Sequence, residues 1–207
     1  MSEDAALPEV VTEAIVVIDL VESTLTSNLF GWYAVGRQAL RDLRALIGEV
    51  GAGQGLRCLK STGDGYLITF HDPNSAEMAA VRAIDSMFEL LARIARRNGG
   101  LPEERALNLR CAVHLGEVDV VADDREGPHV SLAFRLDDIT RASLPAALNP
   151  IPPEEFPLRN YVLCSEEVAG IVERRAAQWD LRSIGLLKLK GFPGWREVFW
   201  VIPETPG

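Results

Sequence analysis

An α+β fold, one antiparallel sheet with helices laid over it, is what this sequence predicts. β-Branched runs alternate with two long amphipathic stretches in the order strand, helix, strand, strand, helix, strand. The two middle strand runs are joined by Ser61-Thr-Gly-Asp-Gly65, whose glycines permit the backbone of a hairpin turn. With 207 residues and 47% hydrophobic content the chain can build one substantial core. One domain is expected over 12–202, after a leader at 1–11 and before a tail at 203–207.

Ala14-Ile-Val-Val-Ile-Asp-Leu-Val21 has the length and composition of a strand buried on both faces. Ser23 or Thr24 then supplies a helix cap, and Leu29, Tyr33, Gly36, Leu40, Leu43 and Ile47 form one apolar stripe on a long helix. Glycines from Gly48 to Gly55 end it. Leu56 to Lys60 and Tyr66 to Phe70 are the hairpin strands, with Asp64 at the tip. Asp72-Pro-Asn-Ser75 opens a second helix whose stripe is Ala76, Ala80, Ala83, Met87, Leu90 and Ile94, and Asn98-Gly-Gly-Leu-Pro102 stops it. Leu107 to His114 and Val118 to Ala122 read as another antiparallel pair. This order is the ferredoxin-like βαββαβ arrangement, in which the first strand lies beside the hairpin and Asp19 and Asp64 can face one another at one edge. A C-terminal extension follows: a helical segment from Val130 to Ala142, a proline-rich stretch from Asn149 to Pro157, a strand at Tyr161 to Cys164, a helix from Glu166 to Arg175, and strands around Leu186 to Lys190 and Glu197 to Ile202.

Composition narrows the function. A net charge of −9 disfavours a nucleic-acid partner but allows a small phosphorylated ligand held by local basic groups and cations. No apolar run reaches the roughly 18 residues of a membrane helix, and the acidic start lacks the pattern of a signal peptide, so a cytoplasmic protein is expected. Cys58, Cys111 and Cys164 sit singly in apolar surroundings, which argues for packing and against a disulfide framework or a zinc site. His71, His114 and His129 lack ligand spacing, and His114 is expected to pack in the core with a backbone hydrogen bond. Trp179, Trp195 and Trp200 are expected to pack the C-terminal strands.

Asp19 and Asp64 each close a strand-like segment. A carboxylate in so apolar a setting costs several kcal/mol to desolvate unless it is paired or holds a metal. The pair therefore reads as a two-metal site, against the plainer reading that both are turn or cap residues, since hairpin tips favour Asp.

Five motifs occur in order: Ile18-Asp-Leu-Val-Glu-Ser-Thr24, Leu59-Lys-Ser-Thr-Gly-Asp-Gly65, Arg110-Cys-Ala-Val-His-Leu-Gly-Glu-Val118, Gly127-Pro-His-Val-Ser-Leu-Ala-Phe-Arg-Leu136 and Leu187-Lys-Leu-Lys-Gly191. Together they resemble the class III nucleotidyl cyclase domain, the fold of adenylate and guanylate cyclases, across residues 12–202. The resemblance implies conversion of a nucleoside triphosphate to its 3′,5′-cyclic monophosphate and pyrophosphate, with two Mg2+ or Mn2+ ions as cofactors. It makes Asp19, Asp64 and the backbone carbonyl of Leu20 the metal ligands. Arg110 and Lys190 take the phosphate-contacting positions, Ser23 and Thr24 the free N–H groups facing the triphosphate, and Arg135 the arginine that stabilises charge developing on the α-phosphate. Two positions depart from the pattern. Glu22 stands where the family has glycine, and Ser131 replaces the asparagine that orients the ribose.

Lys60 takes the family's base-contacting position and Asp124 that of its acidic partner. One donates and the other accepts, so the pair is expected to read an acceptor beside a donor, as adenine, uracil and cytosine offer, and to disfavour guanine more than it separates those three. Tyr66, Phe134 or His129 could close the pocket to a purine. The family further implies a homodimer with two interfacial sites, the metal carboxylates coming from one subunit and the base-reading and transition-state residues from the other. As a bare catalytic domain the chain looks like the stand-alone bacterial pyrimidine cyclases of antiphage defence, which make cyclic UMP or cyclic CMP for a separate effector protein. An adenylate cyclase is the alternative. A catalytically degenerate nucleotide-binding regulator and a diguanylate-cyclase or polymerase-palm relative are the rivals; the missing Gly-Gly-Asp-Glu-Phe signature weighs against the last.

Overall fold

The computed structural model describes residues 8–21 and 35–204, so the expected cap at Ser23 or Thr24, with Glu22, Leu29 and Tyr33, lies outside the described residues. The first strand, β1 (Glu9–Leu20), alternates its apolar side chains: Ala14, Val16 and Ile18 enter one core, while Ile15 and Val17 enter another on the opposite face. Strands β2 (Leu56–Ser61) and β3 (Gly65–Phe70) form the expected hairpin, and β3 lies antiparallel to β1 with Asp19 opposite Gly65.

On its other side β1 pairs with β4 (Leu109–Val121), from Glu9 opposite Val120 to Leu20 opposite Leu109. The sequence suggests two strands here, broken near Gly116; the structure has one. Gly116 stays in the strand because the His129 ring lies over it, where an added Cβ would fall 2.2 Å from ring atoms. The chain then returns through a short β5 (Asp124–Glu126) paired to the end of β4. Strands β6 (Tyr161–Ser165), β7 (Trp179–Leu187) and β8 (Arg196–Pro203) extend the sheet to the order β2-β3-β1-β4-β6-β8-β7. The β2-β3-β1-β4 portion is the ferredoxin-like order the element sequence predicts. Strand β7 starts at Trp179 and stops before Lys190, which therefore sits in the turn to β8 and not in a strand.

Helices α1 (Val35–Gly51), α2 (Ala76–Asn98) and α4 (Glu166–Arg175) cover the face carrying Val16 and Ile18. Ser75 caps α2, its Oγ accepting from the Met78 N–H at 3.2 Å. Helix α3 (Pro128–Asp137) covers the other face, burying Val130 and Ala133 against Ile15 and Val17. It is shorter than the Val130–Ala142 stretch suggests, because a separate 3-10 turn containing Pro145 takes up Arg141–Ala146. Trp179 stacks on Phe88 at 4.1 Å and donates its indole N–H to Asp85 at 2.7 Å, joining β7 to α2. Trp200 meets Phe156 edge-on, whereas Trp195 is 39% exposed beside Lys188. The three cysteines are buried and unpaired, and among the described residues no helix is long and apolar enough to cross a membrane.

Candidate active site

Strand alternation decides which side chains share the α3 face. Because Ile18 and Cys111 point into the core on the other side, Asp19 and Arg110, directly paired across β1 and β4, both rise on the α3 side. Gly65 lets the hairpin come close at this point: a Cβ there would lie 2.0 Å from the Ile18 carbonyl oxygen and 3.0 Å from the Asp19 Cα. The Leu20 N–H donates to the Asp64 carbonyl at 3.3 Å, which fixes the hairpin tip against the end of β1. The glycine after Asp64 thus serves close approach, while Gly63, at φ +112°, supplies the left-handed turn itself.

These contacts bring the two predicted carboxylates together. The Asp64 side chain comes within hydrogen-bonding reach of Asp19. Burial pushes the Asp19 carboxyl up to about 6, with Arg110 opposing and Asp64 adding to the rise. Arg110 donates from Nη2 to Asp19 Oδ2 at 2.6 Å. Two converging carboxylates beside a backbone carbonyl, all oxygen donors, fit a hard divalent cation that keeps water and phosphate as its other ligands. Among the described residues no group of three or more His, Cys, Asp or Glu that could hold a metal gathers anywhere, so at this site the carboxylate ligands would number two.

The sequence gives no hint of Asp137, which stands at the end of α3 under the same arginine. It is 7% exposed, its Oδ2 lies 3.5 Å from Arg110 Nε, and burial pushes its carboxyl up to about 8 against the pull of that guanidinium. Asp137 follows the buried Ala133 by one helical turn, which places it on the inward face of α3.

Ser131 and Arg135 lie one turn apart on the outer surface of α3. Ser131 Oγ donates to the Gly127 carbonyl at 3.3 Å, and Arg135 pairs with Asp138 at 2.8 Å. Two residues of helix turn through roughly 200°, so Arg135 points away from the Asp137, Arg110 and Asp19 group of its own chain. Lys190 is exposed in the turn between β7 and β8.

Lys60 and Asp124 meet directly in an ion pair between β2 and β5. The shared hydrogen bond raises the lysine's affinity for its proton and lowers that of the aspartate. Behind them Arg125 anchors β5 by donating to Glu13, 2% exposed, at 2.7 Å. Tyr66 does not face a ligand: it is buried and donates its hydroxyl to the Leu40 carbonyl at 2.8 Å. Phe134 packs on the α3 core.

His129 is also committed inward. His114 is fully buried, with its Nε2 2.8 Å from His129 Nδ1 and its Nδ1 2.8 Å from Ser165 Oγ, in place of the expected backbone partner. The Ser165 hydroxyl bonds the Glu167 carboxylate, which can only accept. The Ser165 oxygen therefore accepts from His114 Nδ1–H, and His114 Nε2 accepts from His129 Nδ1–H. This chain ties the start of α3 to β4, β6 and α4.

No protein-family model matches the chain. It is 39% identical over 88 residues to "Putative adenylate cyclase 3" of Rhizobium meliloti, a match covering 42% of this chain and 14% of that relative. Among solved structures it is similar to the adenylate/guanylate cyclase/hydrolase from Silicibacter pomeroyi, with TM-score 0.72 and 21% identity over 95% of this chain and 99% of the other. It is likewise similar to the non-canonical dimeric guanylyl cyclase domain of the RhoGC fusion protein from Blastocladiella emersonii, with TM-score 0.71 and 14% identity over 94% and 98%. Strand order, the face assignment of α3 and these likenesses together establish that the chain has the class III adenylate/guanylate cyclase fold.

Proposed function

We propose that the protein is a nucleotidyl cyclase, converting a nucleoside triphosphate to its 3′,5′-cyclic monophosphate and pyrophosphate. The observation that carries this reading is the convergence of Asp19 and Asp64 beside Arg110, with Gly65 making room for it. Asp19, Asp64 and the Leu20 carbonyl would hold two Mg2+ or Mn2+ ions, which lower the pKa of the 3′-hydroxyl and neutralise phosphate charge. The bond formed joins O3′ to the α-phosphorus; the bond broken is that between the α-phosphorus and the bridging oxygen, which leaves with pyrophosphate while the hydroxyl proton passes to solvent water. Arg110, Lys190, Ser23 and Thr24 bind the phosphates, Arg135 meets the charge that builds on the α-phosphate, and Ser131 orients the ribose.

Because Arg135 and Ser131 face away from the carboxylates of their own chain, this reading calls for a homodimer with composite sites. A degenerate nucleotide-binding regulator would have no need to hold two anions in mutual repulsion at such a desolvation cost.

The Lys60 and Asp124 pair supports a base that presents an acceptor beside a donor, which guanine also does through O6 and N1–H, so the pair by itself admits all four bases and the choice falls to the rest of the pocket. The departure at Ser131 and the proline-rich segment favour a pyrimidine, with cyclic UMP or cyclic CMP signalling to a separate antiphage effector in the cytoplasm. The stretch shared with the Rhizobium relative favours cyclic AMP. Chromatographic identification of products from an equimolar mixture of ATP, GTP, CTP and UTP, with Mg2+ and with Mn2+, separates these. Preferential cyclic UMP or cyclic CMP upholds the pyrimidine reading, preferential cyclic AMP replaces it, and absence of any cyclic product overturns the enzyme.

A further inference from the structure

Arg110 is shared unequally between two carboxylates. Its contact with Asp19 is a short charge-assisted hydrogen bond of 2.6 Å, whereas its Nε is 3.5 Å from Asp137 Oδ2, too far for one. Arg110 Nε and Asp137 Oδ1 are both buried side-chain atoms without a hydrogen-bond partner. Buried polar atoms left unmet in this way are costly, and a guanidinium that turned fully onto Asp137 would satisfy both in a two-pronged bond. What keeps it from doing so is Asp19, which needs a positive charge beside it while Asp64 stands near.

A divalent cation on Asp19 removes that need and repels the guanidinium. We infer that Asp137 is the docking carboxylate for Arg110 in the cation-loaded state. On loading, Arg110 leaves Asp19 and closes on Asp137 through Nε and one Nη, which leaves its other Nη free to meet a phosphate beside the cations. Before loading, Arg110 neutralises the carboxylate and competes with the cation for it. Asp137 is thus a positioning residue that acts on metal and phosphate only through Arg110. This inference rests on the cyclase reading, in which Asp19 and Asp64 are the metal ligands.

The test is Mn2+ binding to the full chain without nucleotide, followed by the electron paramagnetic resonance signal of free Mn2+, in wild type, Asp137→Asn, Arg110→Gln and the double variant. Docking predicts that Asp137→Asn weakens Mn2+ binding about tenfold in the wild-type background and less than about twofold once Arg110 is Gln, a non-additive cycle. Asp137→Ser, with room for a water, repeats the cycle where the asparagine variant does not fold. An equal effect in both backgrounds would show Asp137 to act only as a distant charge and would overturn the inference, as would no effect in either. Asp19→Asn is the control. If wild type binds Mn2+ and Asp19→Asn does not, an additive cycle defeats this inference alone; if wild type binds none, or Asp19→Asn binds as well, the metal-site reading falls and the inference with it.

Discussion

His114 is the residue whose environment makes the clearest demand on pH. Full burial pushes its imidazole down to about 4, His129 and Arg196 adding to the fall while Glu167 opposes it. The unfolded chain, where histidine titrates near 6.5, therefore takes up a proton in a range where the folded chain refuses it. The stabilising contribution is complete above about pH 6.5 and is lost as pH falls toward 4, at a cost of about 2 kcal/mol between pH 7 and 5. Because the raised carboxyls of Asp137 and Asp19 act in the opposite sense over the same range, the histidine's share is read as a difference: in denaturant unfolding at these two pH values, His114→Gln should lose about 2 kcal/mol less than wild type on going from pH 7 to 5. An identical pH dependence in the two proteins would place the effect elsewhere.

Among the elements, the hairpin of β2 and β3 is the one on which the site depends. Gly65→Ala places a methyl carbon 2.0 Å from the Ile18 carbonyl oxygen, which only a shift of β3 away from β1 can relieve. We expect a folded protein with at least a tenfold loss of cyclase activity and weakened Mn2+ binding, since even small misplacements in a catalytic constellation are amplified. Wild-type activity in this variant would mean that the two strands tolerate separation and that Asp64 is not held by them. The hairpin was legible in the sequence because turn chemistry is local: Ser61-Thr-Gly-Asp-Gly65 states its own conformation. The break expected near Gly116 was not, because that glycine answers to a ring on another element and not to a turn. Asp137 stayed hidden for the same reason. Its partner Arg110 is far along the chain, and no periodicity distinguishes a buried acid at a helix end from a solvated one. Asp19, Asp64, Lys60 and Asp124 could be paired from their motifs, and the structure brings each pair into contact.

For the whole molecule, the proposed composite site would make a single chain half a catalyst, and the outward direction of Arg135 is the observation behind it. Asp64→Ala and Arg135→Ala chains, each inactive alone, should regain up to about a quarter of wild-type activity when mixed at equal amounts, because half of the random dimers are mixed and each carries one intact site. No recovery, with mixed dimers demonstrated by a tag exchange assay, would show that each chain completes its own site. The same geometry divides helix α3 between two employers. Its inner residues Leu132, Ala133 and Leu136 answer to the interior, while Ser131 and Arg135, on the outer side, are those that the proposed composite site would present to a substrate. A substitution on the outer side, such as exchanging serine and asparagine at position 131, consequently alters what the helix offers a ligand while the buried contacts beneath it stay as they are.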